Sequence, residues 1–134
     1  MTGFYTVEQA DRTLPLVRRI VADLVGCYAD WQETVREFEI ATSSSRADRP
    51  SARAEELQRR ALGMAAEIEG FVGELAALGI ACKSFEVGLI DFPAWLAGRP
   101  VYLCWRLGEP SVQYWHELDG GFDGRQPLQP RAAA

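Results

Sequence analysis

The sequence predicts an α+β fold: a long antiparallel helical hairpin, coiled-coil-like along its seam, followed by a small three-stranded antiparallel sheet. Three observations predict it. From Leu14 the apolar residues fall at Leu14, Val17, Val21, Leu24, Tyr28, Trp31, Val35 and Phe38, in alternating steps of three and four, which is the spacing of a helical seam. The same rhythm returns at Ala54, Leu57, Ala61, Met64, Ile68, Phe71, Leu75 and Leu78. After Gly79 the period falls to two, as in half-buried strands.

The elements follow in chain order. Thr6 and Gln9 have the spacing of a capping box ahead of a short first helix. Pro15 restricts Leu14, so a bend is expected near residue 13, with Thr13 as the cap of a restarted helix. The first seam then runs for about 37 Å. "ATSSSRADRPSA" cannot bury an apolar face and reads as a mobile tip near residues 42–51, which makes the two helices antiparallel. In the second helix Glu55 with Arg59 and Glu56 with Arg60 are i,i+4 pairs, and Gly79 stands where a C-terminal cap belongs. Gly63, Ala66, Gly70, Gly73 and Ala77 form a row of small residues, and another element of the same domain is expected to pack on it.

Three strands follow. "SFEVGLIDFP" aligns Phe85, Val87 and Leu89, "VYLCWRL" aligns Val101, Leu103, Trp105 and Leu107, and "SVQYWHEL" continues the alternation. A tight turn at "GEP" sets Trp105 across from Val112 and Leu103 across from Tyr114. In that register Val101, Leu103, Trp105, Leu107, Val112 and Tyr114 are core, while Tyr102, Cys104, Arg106, Gln113 and Trp115 share the reverse face. A slip of one residue in the third strand exchanges Tyr114 for Trp115. Asp91 is in phase with Leu89 and points inward unless a bulge at Gly88 resets the alternation; Arg106 or Arg99 is its expected partner. "LDGGFDGRQPLQPRAAA" reads as a turn-rich strap anchored by Phe122 and Leu128. Residues 1–128 thus form one domain, divided into a hairpin at 1–79, a meander at 80–118 and a strap at 119–128. A disordered tail at 129–134 ends the chain.

Composition bounds the function. At 134 residues and 48% hydrophobic content the chain suits one domain. A net charge of -5 argues against a nucleic-acid or anionic-membrane binder, and Arg46, Arg49, Arg53, Arg59 and Arg60 near the tip are offset by Asp48, Glu55 and Glu56. The N-terminal residues lack the order of a signal peptide, and no apolar run approaches the ~20 residues of a membrane span, so a cytoplasmic protein is expected. Cys27, Cys82 and Cys104 have no zinc-finger spacing and are expected to be reduced.

Two functions compete. The first is a non-enzymatic interaction or scaffold module that self-associates as a homodimer, with Tyr102, Cys104, Gln113 and Trp115 as its interaction face. The second is a small ligand- or metal-binding protein, or a hydrolytic one, whose polar site at the end of the sheet gathers Asp91, Arg106, Glu109, His116, Asp119 and Arg125. His116, the only histidine, lacks the partners of a metal motif, so no metal or cofactor is assigned. Cys104 and His116, on opposite faces in this register, do not form a thiol–imidazole pair.

The stretches "FYTVEQADRTLPLVR", "GLIDFP", "VYLCWRLGE", "YWHELDGGF" and "GRQPL" together resemble a family of short prokaryotic proteins catalogued as a domain of unknown function, number twenty-two-oh-three. The resemblance covers the chain to about Leu128. It implies a native single domain and carries over no functional residue.

Overall fold

The computed structural model describes residues 3–43 and 51–129. Helix α1 spans Val7–Ser43 and α2 spans Ala52–Ala77. Strands β1 (Ala81–Ser84), β2 (Leu89–Leu96), β3 (Arg99–Arg106), β4 (Tyr114–His116) and β5 (Gln126–Pro127) follow, with a 3-10 turn at Phe122–Gly124 before the last. The sheet is a five-stranded antiparallel meander in chain order, not three-stranded.

The hairpin forms where the helical period predicts it. Leu14, Val17, Val21 and Leu24 of α1 and Ala54, Leu57, Ile68 and Leu75 of α2 are buried. Cross-links from Cys27 to Met64 and Glu67, and from Arg53 to Glu37, fix the antiparallel order. Thr6 and Gln9 exchange side chain-to-backbone hydrogen bonds of 2.9 and 3.1 Å, a complete capping box. The expected restart is absent: α1 runs through Pro15, and Thr13 donates back to the Ala10 carbonyl instead of capping. Apolar residues on both sides of Pro15 pack on one sheet, and that shared burial outweighs the lost hydrogen bond. At the end of α2 the Gly79 N–H reaches Ala76 O and the Ile80 N–H reaches Leu75 O, with Gly79 at φ 78°, a Schellman cap. Of the expected i,i+4 pairs, the ion pair formed is Arg59 with Glu56, at i,i+3. The predicted tip lies largely outside the described residues, as do Arg46, Arg49 and residues 130–134 of the tail; Thr42 and Ser43 close α1, and Ser51 caps α2 through the Ala54 N–H.

One face of the sheet lies on the helices. Ile90, Phe92 and Ala94 pair with Trp105, Leu103 and Val101, and these six pack with Ala10 to Leu24 of α1 and Leu75 of α2. The β2–β3 hairpin turns at Ala97 and Gly98, both at positive φ as a two-residue type I′ turn requires. "SFEVGLIDFP" is not one strand: Phe85 to Gly88 form a turn, and the irregularity in pairing lies between Cys82 and Ser84. Among the described residues no element covers the row Gly63, Gly70 and Gly73, where an added Cβ would meet nothing within 4 Å.

At Gly88, in the β1–β2 turn, the backbone packs tightly against α1. An added Cβ there would stand 2.7 Å from Val21 Cγ1 and 2.9 Å from Leu107 Cβ, at a φ of 73° that side chains rarely adopt. Gly88→Ala therefore combines overpacking with backbone strain and is expected to lower stability by more than about 2 kcal/mol. Gly70→Ala, at an open helical position, is expected to raise it by about 0.5–1 kcal/mol. Urea unfolding of both variants reads the two opposite signs.

Candidate functional site

The back of the sheet, away from the helices, carries the polar cluster. In β3 the even-numbered residues Tyr102 and Cys104 point there, and their antiparallel partners share that face. Cys104 pairs with Asp91 on β2 and with Tyr114 on β4, and Tyr102 pairs with His116. Asp91, Cys104 and His116 thus converge from three neighbouring strands, with one ligand-type atom each lying within 4.8 Å of the others. Their relative exposures are 2%, 0% and 2%.

This register differs by one residue from the expected one. Leu103 faces Trp115, not Tyr114. The cause is the connection between β3 and β4, which is no tight turn. Glu109 folds back on it, its carboxylate accepting the Arg106 N–H at 2.7 Å and its carbonyl accepting Trp105 Nε1–H at 3.0 Å. Asp11 of α1 accepts the Val112 N–H at 2.7 Å, so the loop is also tied to the first helix. The shift places Trp115 on the helix side of the sheet, beside the core, and puts Cys104 and His116 on one face. Their expected separation on opposite faces is thereby corrected.

The partner of Asp91 is His116, with Nε2 at 2.9 Å from Oδ1, and neither Arg106 nor Arg99. Arg106 is exposed, and Arg99 forms a two-pronged pair with Glu117 at 3.0 and 2.8 Å. The other ring nitrogen of His116, Nδ1, stands 2.6 Å from the carbonyl oxygen of Glu117. A carbonyl only accepts, so Nδ1 carries a hydrogen. In a neutral ring Nε2 then holds a lone pair aimed at a carboxylate oxygen. Two acceptors cannot meet at that distance, so a hydrogen lies between Nε2 and the carboxylate. The Cys104 thiol lies beside them, and burial first, then the Asp91 charge, pushes it up to about 12. Cys27 and Cys82 are raised as well, chiefly by burial.

A strap closes the cluster. Arg125 donates to the Cys104 carbonyl and forms a 2.6 Å pair with Glu109. Its guanidinium lies 4.0 Å from the Tyr114 ring centre and 5.0 Å from that of Phe122. Its Nε is buried without a hydrogen-bond partner. The strap ends as β5, with Gln126 opposite Trp115, and Leu128 packs against the core, whereas Phe122 stays partly exposed.

The six predicted site residues therefore divide. Asp91 and His116 meet, Glu109 and Arg125 meet beside them, and Arg106 and Asp119 lie exposed outside the cluster. Of the predicted interaction face, Tyr102 and Cys104 share the back of the sheet, Cys104 fully buried, while Trp115 is on the other side and Gln113 is exposed. Cys104 was the member of the cluster that sequence reading left out. Its in-phase position with Tyr102 was visible; its meeting with His116 depended on the register.

Residues 3–128 match the model of a family described as an uncharacterized conserved protein, DUF2203. The chain belongs to that family. The DUF2203 match takes in every described strand and all five residues of the buried clusters. No curated protein and no solved structure matches the chain. Among the described residues, no helix is long and apolar enough to cross a membrane.

Asp91→Ala leaves His116 buried without its partner and is expected to cost about 3–5 kcal/mol, whereas Arg99→Ala, which breaks an exposed pair, should leave the urea midpoint nearly unchanged. Alkaline pH probes the thiol. Because Cys104 is raised in the folded chain, the unfolded chain loses its thiol proton first, from its ordinary value of 9.0 upward. The stability this thiol contributes is present below pH 9.0 and is lost as pH rises through about 12. Unfolding free energies measured across that window should fall more steeply for the wild type than for Cys104→Ala.

Proposed function

We propose that this protein is a non-enzymatic metal-binding module that holds a borderline-soft divalent ion of the zinc class through Asp91, Cys104 and His116. The observation that carries the reading is the orientation of His116. Its Nδ1–H is committed to a backbone carbonyl, the outer-shell bond by which ligating histidines are held, and this turns Nε2 toward the carboxylate and thiol. Sulfur, imidazole nitrogen and carboxylate oxygen together form a donor set that suits zinc. Bonds of about 2.0–2.3 Å to such an ion separate tetrahedral ligands by roughly 3.3–3.8 Å, so a ligand set forms when Nε2 and Oδ1 part slightly from 2.9 Å and the thiol, within 4.8 Å of both, closes on the ion. The ion takes the place of the protons that now hold the trio together.

A hydrolytic use of the same residues has less support. A nucleophilic thiol needs access and an ionised sulfur, and Cys104 is fully buried with its thiol pushed up to about 12. Self-association is the lesser reading. The centre of the back of the sheet is covered by the strap, which leaves the open outer face of α2 as its remaining support.

Cobalt(II) added to the metal-free chain tests the proposal. One equivalent should give a near-ultraviolet thiolate-to-cobalt charge-transfer band, released protons and a higher melting temperature, with zinc displacing the cobalt. Cys104→Ala is expected to abolish the band and His116→Ala to weaken binding by more than about 100-fold, while Cys27→Ser and Cys82→Ser retain both. A chain that shows no stoichiometric binding, or a band that survives Cys104→Ala, overturns it.

A further inference from the structure

A second site lies where the hairpin leaves the sheet and shares no residue with the buried cluster. Tyr28 and Trp31 of α1, Ala65, Ile68 and Glu69 of α2 and Phe85 of the β1–β2 turn line a notch of about 210 Å³. The heptad rhythm places Tyr28 and Trp31 on the seam, yet neither is buried. Ala65 is too small to fill the space across from them. The two rings instead lie nearly parallel, 5.8 Å apart at 20°, and Phe85 meets Tyr28 edge-on at 5.6 Å and 73°. Three half-buried aromatic rings thus surround space that the chain does not fill.

The charge at this notch has one sign. Among the described residues, Glu69, exposed at the rim, is the only charged one in its lining, with no lysine or arginine there. Electron-rich ring faces beside a carboxylate attract a cation, and this favours a guest whose charge is spread under methyl groups. A bare ammonium is strongly hydrated and gives up much on entering an apolar notch, whereas an alkylated one sheds its water cheaply and still uses the rings' quadrupoles. A neutral apolar guest gains burial alone.

We propose that the notch formed by Tyr28, Trp31, Phe85 and Glu69 binds the quaternary or multiply alkylated ammonium head group of a small solute. The site is independent of the metal cluster, so either assignment stands if the other fails.

The test is a titration followed by NMR at the Trp31 indole, using choline as the probe and its uncharged isostere, in which carbon replaces the quaternary nitrogen, as the control. Choline should produce saturable shifts, and the isostere should bind at least about 5-fold more weakly, because it lacks the cation–π attraction. Glu69→Gln, a surface change that spares the fold, should weaken choline by about 2- to 5-fold and leave the isostere unaffected. Trp31→Leu should reduce choline binding by more than about 5-fold. Equal affinity for choline and the isostere makes the notch merely greasy and overturns the proposal. So does the absence of any saturable shift in the millimolar range, and so do shifts that follow protein concentration instead of choline, which would assign the notch to a second copy of the chain.

Discussion

A carboxylate oxygen and an imidazole nitrogen 2.9 Å apart, both sealed from solvent, require a hydrogen between them. That requirement ties β2 to β4 across β3, because Asp91 and His116 sit on the outer two of three neighbouring strands and Cys104 on the middle one. Breaking such a pair leaves a polar group buried without compensation, so the register in which the three residues meet is strongly preferred over its neighbours. A slip of one residue in β4 would turn His116 toward the helices and strand Asp91.

The two faces of the sheet solve different problems. On the helix side the solution is close packing: Phe92, Leu103 and Trp105 are fully or almost fully buried against α1, and Gly88 lets Val21 and Leu107 approach where any side chain would collide. On the back it is polar satisfaction under a cover. The strap brings Arg125 over Tyr114 and against Glu109, and just before it the Glu117 carbonyl fixes the histidine ring. Cover and cluster are joined through Arg125, which binds the Cys104 carbonyl, while Glu117, the residue after His116, orients the ring.

Much of the architecture was legible because its signals are local. Seam spacing, the Thr6–Gln9 box and the Gly79 cap act within a turn or two of helix, and each appears where the sequence put it. Pro15 misled because its local preference is small beside the burial of residues on either side of it. The third strand was misplaced by one residue because the loop before it is shaped by bonds that pattern does not encode: a carboxylate folded onto the Arg106 amide, an indole on the Glu109 carbonyl, and an aspartate of α1 on the Val112 amide. That single residue decided whether Cys104 and His116 met. β1 and β5 were missed because four and two residues carry too little alternation to read. Asp91 and His116, by contrast, were visible as candidates before their meeting was known, since a carboxylate in phase with a strand's apolar residues demands a partner.

The most direct measurement of this account is the nitrogen NMR of the imidazole of His116, the only histidine in the chain. The account predicts a hydrogen on Nδ1 in every state, with a hydrogen held between Nε2 and Asp91 in the metal-free chain and Nε2 metal-bound once zinc is added. A ring protonated on Nε2 alone, with Nδ1 bare, would contradict it, as would a spectrum that zinc leaves unchanged.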